Sequence, residues 1–155
     1  ELWVQPGGAA FLTDLGGRLG FPDMFERTFV LNEYAPDTPF SVGPIEVVPT
    51  RVPHYRLETY AFRVEADGRT LAYSGDSAPS NELVQAAKDA DLFVCEATLL
   101  RGDLDGEPRG HLSLDEAVEA FEASGAKRLL LTHRPCELPK PDAFELAYDG
   151  LELDV

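Results

Sequence analysis

Apolar and polar residues follow two different periodicities along this chain of 155 residues. In the first half, residues with β-branched and aromatic side chains recur with a period of two, which is typical of strands. The dipeptide Asp67-Gly68 separates two of these runs and is a strong signal for a tight hairpin. The strands predicted here cover residues 28–34, 45–52, 58–66 and 69–73.

Helical patterns flank this block of strands on both sides. Residues 9–19 are predicted to form a helix, and Pro22 is expected to open a short helical turn. In the second half, Ser113 and Glu116 have the spacing of a capping box, and Gly125 is expected to end the helix that they begin. The remaining predicted elements are a helix over 81–88 and buried strands over 91–95 and 129–131.

The order of these elements predicts the fold class. A hairpin-like first half is followed by strand, helix, strand, helix and strand, which indicates a mixed α/β protein with a layered sheet. Neither an internal repeat nor a linker-like stretch interrupts the pattern. We therefore predict a single domain over residues 1–155.

Net charge limits the partners. Lys and Arg number 13 and Asp and Glu number 28, so the formal charge is 13 − 28 = −15. Such a surface repels extended nucleic acid and anionic membranes, although bound metal ions can reverse the local field for a small substrate. No apolar run approaches the roughly 20 residues of a membrane span, so no membrane partner is expected.

Cysteine usage points to a compartment. Only Cys95 and Cys136 are present, which is too few for a disulfide framework and suits the reducing cytosol. We expect a cytoplasmic protein in which both residues are core or near-core thiols.

The candidate metal-binding residues follow the ends of predicted strands. His54, Asp76 and His133 each follow a strand, and together they form a usual ligand set for zinc or a related divalent ion. His111 precedes the capped helix, where an anion could bind. Each residue alone also has an ordinary interpretation: a hydrogen-bonded structural histidine, a turn-forming aspartate or, for Glu96, a solvated strand end.

Several strings in the chain resemble the motifs of one family. Segment 71–77 looks like a Gly-Asp-Thr motif, 91–98 like a His-Glu-Ala-Thr motif with Cys95 in place of its histidine, and 128–133 like a Leu-x-Leu-Thr-His strand. These motifs belong to the ribonuclease Z-like branch of the metallo-β-lactamase superfamily. The segments that also resemble this branch are 2–8, 52–54 with 59–64, and 110–113.

The resemblance implies an αββα sandwich with two divalent metal ions at one sheet edge, zinc being the first expectation and manganese the alternative. It makes His54 and His133 terminal ligands of the two ions and Asp76 the bridging carboxylate. His111 would bind or protonate the scissile group. Glu96 would orient His111, as a carboxylate commonly orients an imidazole beside a metal.

One family motif is absent. The His-x-His-x-Asp-His segment precedes the part of the family's sequence that matches residues 2–8, and this chain begins there. We expect that the chain supplies roughly the second half of the fold and that Glu1 is not the natural start. The alternative is a degenerate protein that lost the motif.

The resemblance favours a metal-dependent phosphodiesterase of ribonuclease Z type, in which a hydroxide held by two metals attacks phosphorus. The charge favours a small or short phosphodiester over a long RNA. Esters, thioesters and lactones remain open as substrates. So do a catalytically inactive remnant or binding module and a metal sensor without turnover. A homodimer is a further expectation.

Overall fold

A computed structural model describes all 155 residues, which divide into two compact units, Glu1–Thr38 and Pro39–Val155. The first unit contains a parallel pair of short strands, in which Leu2 is opposite Leu31. Its elements in chain order are β1 (Leu2–Val4), α1 (Gly8–Arg18), α2 (Met24–Thr28) and β2 (Leu31–Glu33).

The strand predicted over 28–34 is too long. Helix α2 continues through Thr28, whose hydroxyl donates to the Met24 carbonyl, and the Phe29 amide still bonds back to Phe25. The first residues of the predicted strand therefore form helical hydrogen bonds instead, and β2 begins only at Leu31. The predicted helix over 9–19 is confirmed within one residue at either end.

The second unit is built on one sheet of seven strands whose spatial order follows the chain. Strands β3 to β6 pair antiparallel, and β6 to β9 pair parallel. The strands are β3 (Phe40–Val42), β4 (Ile45–His54), β5 (Leu57–Ala66), β6 (Arg69–Tyr73), β7 (Leu92–Glu96), β8 (Leu129–Thr132) and β9 (Glu145–Leu146).

Strand β4 runs two residues beyond its predicted end at Val52 and includes Pro49 and Pro53. Strand β3 pairs with β4 only as far as Val47, so the later part of β4 is a free edge on that side. A proline that lacks the amide hydrogen costs no sheet bond when its nitrogen faces a free edge. The Pro53 carbonyl points the same way and accepts from the Ala78 amide at 2.7 Å.

The predicted hairpin at Asp67-Gly68 is confirmed. Both residues have positive φ, 51° and 72°, as a two-residue turn matched to the twist of its strands requires. The capping box is also confirmed: the Ser113 side chain accepts from the Glu116 amide, and the Glu116 carboxylate accepts from the Ser113 amide.

Two helices connect the parallel strands and form the core with the sheet. Helices α3 (Asn81–Ala86) and α4 (Leu114–Ser124) contact each other and enclose Phe93 and Leu131, both with no exposed surface. Small residues such as Ala117 allow the helices to lie close to the strands. The two longest helices, α1 and α4, have 11 residues each, and no helix is long and apolar enough to cross a membrane.

The two cysteines lie in different environments. Cys95, in β7, is completely buried, as predicted. Cys136 is exposed, so the prediction of a near-core thiol at that position is wrong. The residue follows the end of β8 and Pro135, in a polar segment that has no apolar periodicity to bury it.

Candidate functional site

The strand directions bring four chain segments to one edge of the large sheet. Since β4 and β6 are both antiparallel to β5, they run in the same direction, and β7 and β8 are parallel to β6. The carboxyl ends of these four strands therefore lie at the same edge, where ligands commonly bind in α/β proteins. The residues at or just after these ends are His54, Asp76, Glu96 and His133.

His54 is the last residue of β4 and is 9% exposed. Its Nδ1 lies 2.8 Å from the carbonyl oxygen of Gly110. A carbonyl oxygen can only accept, so Nδ1 carries the hydrogen, and in the neutral ring Nε2 has the free lone pair. A backbone carbonyl that fixes the tautomer in this way is the usual partner of a metal-binding histidine.

Asp76 and His133 meet directly. Asp76 Oδ1 lies 2.9 Å from His133 Nδ1, and both side chains are accessible to solvent. His133 has a φ of 49°, in the left-handed region that side chains rarely occupy. The Thr98 hydroxyl is 3.0 Å from the His133 carbonyl oxygen and 3.3 Å from its Nδ1, so the segment after β7 contacts this turn.

Glu96 has no exposed surface, yet all of its hydrogen-bonding capacity is used. Oε1 accepts from the Ser77 amide at 2.7 Å, and Oε2 accepts from the Thr98 hydroxyl at 2.5 Å and its amide at 3.4 Å. His111 Nδ1 lies 3.1 and 3.2 Å from the two carboxylate oxygens. Glu96 is therefore a buried carboxylate that holds both the turn after Asp76 and the ring of His111.

A further acidic residue fixes the loop that carries His111. Asp105 Oδ2 accepts from the amides of Gly110 and His111 at 2.7 and 3.0 Å, while Oδ1 accepts from the Tyr55 hydroxyl and the Gly106 amide, each at 3.0 Å. Burial raises the pKa of Asp105, but these four hydrogen bonds outweigh it and hold the pKa at about 2.

Tyr55 covers two of the site's imidazoles. Its ring centroid lies 4.8 Å from that of His54 and 5.5 Å from that of His111, and it is packed so closely that a Cβ at Gly110 would lie 2.4 Å from the Tyr55 ring. Neither Tyr55 nor Asp105 was predicted as a site residue from the sequence. The only local signal was the position of Tyr55 directly after His54.

Arg109 strengthens the same loop from the other side. Its guanidinium pairs with both Glu116 carboxylate oxygens, at 2.7 and 2.9 Å, and donates to the His111 carbonyl at 3.1 Å. The hydrogen bond from Arg109, followed by those from Ser113, keeps the pKa of Glu116 low despite its burial. The capping carboxylate of α4 thus also anchors Arg109, two residues before His111, and Gly102 leaves the space that this ion pair occupies.

The sequence-predicted residues form two overlapping groups, and the predicted metal ligands His54 and His133 lie in different ones. Ligand atoms of His54, Asp76 and His111 lie within 4.8 Å of one another, and so do those of Glu96, His111 and His133. His111 is central: its ring centroid lies 4.9 Å from that of His54 and 5.5 Å from that of His133. Imidazole nitrogens and carboxylate oxygens at this spacing suit a divalent transition-metal ion.

Comparison with known proteins agrees with this geometry. Residues 1–134 match the family model described as a beta-lactamase superfamily domain. The chain belongs to the metallo-β-lactamase superfamily. A segment of 67 residues, 43% of the chain, is 42% identical to 22% of ribonuclease Z from Halobacterium salinarum. The superfamily and its ribonuclease Z-like branch, predicted from the motifs, are thereby confirmed.

Other relatives cover more of the chain. Uncharacterized protein ML1173 of Mycobacterium leprae is 31% identical over 154 residues, which cover 97% of this chain and 52% of that protein. The crystal structure of the metallo-beta-lactamase fold protein YhfI from Bacillus subtilis has a TM-score of 0.68 at 25% identity, over 79% of this chain and 54% of YhfI. The predicted fold class is confirmed, and the chain spans about half the length of these relatives.

Proposed function

We propose that this sequence forms part of a metal-dependent hydrolase whose preferred substrate is a small or short phosphodiester. The observation that carries the proposal is the meeting of three imidazoles and two carboxylates at one sheet edge, from residues far apart in the chain. The match to the family model covers residues 1–134, which include the first compact unit and most of the second, and this supports the proposal of a single metallo-β-lactamase-like domain over residues 1–155.

We assign His54, Asp76 and His133 to metal binding, with Asp76 shared between two ions. The free Nε2 of His54 supports this role, because its tautomer leaves a lone pair for a cation. Zinc suits such a set of nitrogen and oxygen ligands, and manganese is the alternative. Bound divalent ions would supply Lewis-acid chemistry by lowering the pKa of water and polarising the phosphoryl oxygen.

We assign the proton transfer to His111. Its Nδ1 is held by Glu96, so Nε2 is the nitrogen that can exchange a proton with the substrate. When Nε2 carries a proton, it can donate that proton to the leaving oxygen. Glu96 is then a positioning residue, and Asp105 positions His111 through the backbone.

The phosphodiester preference rests on the relatives and on charge. Ribonuclease Z, which matches part of the chain at 42% identity, supports a phosphodiester as the scissile group. The net charge of −15 disfavours a long RNA, since a polyanion would be repelled outside the site. The two unpaired thiols are compatible with a cytoplasmic location, and a homodimer remains part of the proposal.

The test uses the full-length protein that contains this sequence, with metal content measured by elemental analysis and turnover measured on bis(4-nitrophenyl) phosphate. We expect two divalent ions per chain in the wild type. Asp76→Asn and His133→Ala should lose metal, whereas His111→Ala should retain it and lose about 100-fold or more in kcat. Asp103→Asn, an exposed carboxylate on a nearby loop, is the matched control.

The variants separate the alternatives. A wild type that binds no metal and has no turnover would indicate an inactive remnant. Bound metal without hydrolysis of phosphodiesters, esters or lactones would indicate a sensor. Asp76→Asn with unchanged metal content and unchanged turnover would refute the ligand assignment.

A further inference from the structure

A cavity of about 310 Å³ opens beside His133, on the sheet side formed by the ends of β8 and β9. Thr132, His133 and Arg134 line one part of it, and Leu146 and Ala147 line another. No aspartate or glutamate lines this cavity, although the chain contains 28 of them. Arg134 is the one lining residue with a permanent charge, and the carboxylates of Asp76 and Glu96, which contact the lining residues His133 and Thr98, do not pair with it.

The guanidinium of Arg134 is held in place without being neutralised. Its Nε and Nη2 donate to the Pro139 carbonyl at 3.2 and 3.0 Å, and its Nη1 donates to the Ala97 carbonyl at 3.0 Å. Arg134 forms no ion pair, whereas Arg109 and Arg128 each pair with a glutamate. Two carbonyl oxygens therefore fix the position of the group and leave its full charge available.

Arg134 also retains donors for a ligand. A guanidinium has five N–H groups, and three are used in these bonds, so two remain. Because two backbone carbonyl oxygens hold the guanidinium, its orientation is set before any ligand binds. Preorganisation of this kind lowers the entropic cost of binding an anion.

We propose that this cavity is a subsite for a second phosphate group of the substrate, bound by Arg134 while the scissile group lies at the His133 edge. The inference rests on the proposed function only for the position of the scissile group. Arg134 follows His133 in the chain and both line the cavity, so one small molecule can reach both places. Guanidinium is well suited to phosphate because its planar donors match the phosphate oxygens.

Calorimetric binding to the metal-loaded full-length protein tests the subsite without requiring turnover. The two probes are thymidine 5′-phosphate and thymidine 3′,5′-bisphosphate, which differ by one phosphate. We expect the wild type to bind the bisphosphate at least about tenfold more tightly, since a charge-assisted hydrogen bond contributes on that scale. Arg134→Met should remove this preference and leave the affinity for the monophosphate within about twofold.

Two further variants complete the design. Arg69→Met removes the same charge from the start of β6, where Arg69 pairs with Asp91, and should keep the preference. Ala147→Glu adds a carboxylate to the wall of the cavity without altering the bonds of Arg134, and should abolish the preference even if Arg134→Met does not fold.

The outcomes are decisive for the subsite. A wild type that binds both probes equally refutes it, and so does an Arg134→Met variant that keeps the preference or weakens both probes by the same factor. If the protein hydrolyses no phosphodiester but binding still follows the expected pattern, the proposed function fails and the phosphate subsite stands.

Discussion

Replacing Glu96 by glutamine tests whether the buried carboxylate holds the site together. Glu96 has no exposed surface and accepts hydrogen bonds from Ser77, Thr98 and His111. Glutamine has nearly the same shape, but an amide nitrogen takes the place of one oxygen. That nitrogen then meets groups that donated to the oxygen, and their hydrogens no longer have an acceptor.

The orientation of the new side-chain amide determines how much stability is lost. With nitrogen at the Oε1 position, it faces the Ser77 amide, which cannot accept. With nitrogen at the Oε2 position, the Thr98 hydroxyl can accept from it and donate instead to the His133 carbonyl 3.0 Å away. We expect the second arrangement. It loses one hydrogen bond to a charged group and weakens the others, so the free energy of unfolding should fall by about 2–4 kcal/mol.

Urea unfolding of the full-length protein in EDTA measures this cost apart from metal binding. Glu119→Gln makes the same substitution on the exposed face of α4, and should change the free energy of unfolding by no more than about 0.5 kcal/mol. If Glu96→Gln is destabilised by less than about 1 kcal/mol relative to that control, the hydrogen bonds from Ser77, Thr98 and His111 do not hold the site as described.

The other predictions concern acid stability and thiol reactivity. The pKa of Asp105 is lowered from 3.8 to about 2, so its charged form stabilises the fold above about pH 4, and this contribution is lost as the pH falls through 2. The stability difference between wild type and Asp105→Asn should therefore shrink between pH 4 and pH 2 in urea titrations, and a constant difference would contradict it. Burial raises the pKa of the Cys95 thiol, so iodoacetamide at pH 8 should label the exposed Cys136 alone, as checked by peptide mass spectrometry; equal labelling of both thiols in the folded protein would contradict the burial of Cys95.

Local features of the fold were predictable because their causes are local. Asp67-Gly68 forms a tight turn because both residues tolerate positive φ, and Ser113 caps α4 through atoms only three residues apart. The short strands β3 and β9 were not predicted, because three and two residues are too few to show a period. Their pairing is decided by the neighbouring strands.

The site was predictable only in part. The residue types and their positions after strands identified His54, Asp76, His111 and His133, and the resemblance gave them roles. The contact between Tyr55 and Asp105 joins residues 50 positions apart and left no pattern in the sequence. The cavity at Arg134 was equally invisible, since its lining comes from separate segments of the chain.

The sequence by itself determined which groups are available: three imidazoles, their flanking carboxylates, and strands that end beside them. Only the tertiary structure decided that these strands run in the same direction and so bring the groups to one edge. It also decided the tautomer of His54, because the carbonyl oxygen that fixes it belongs to Gly110, 56 residues away. Hydrogen bonds between distant segments depend on the packing of the whole sheet, which no local pattern records.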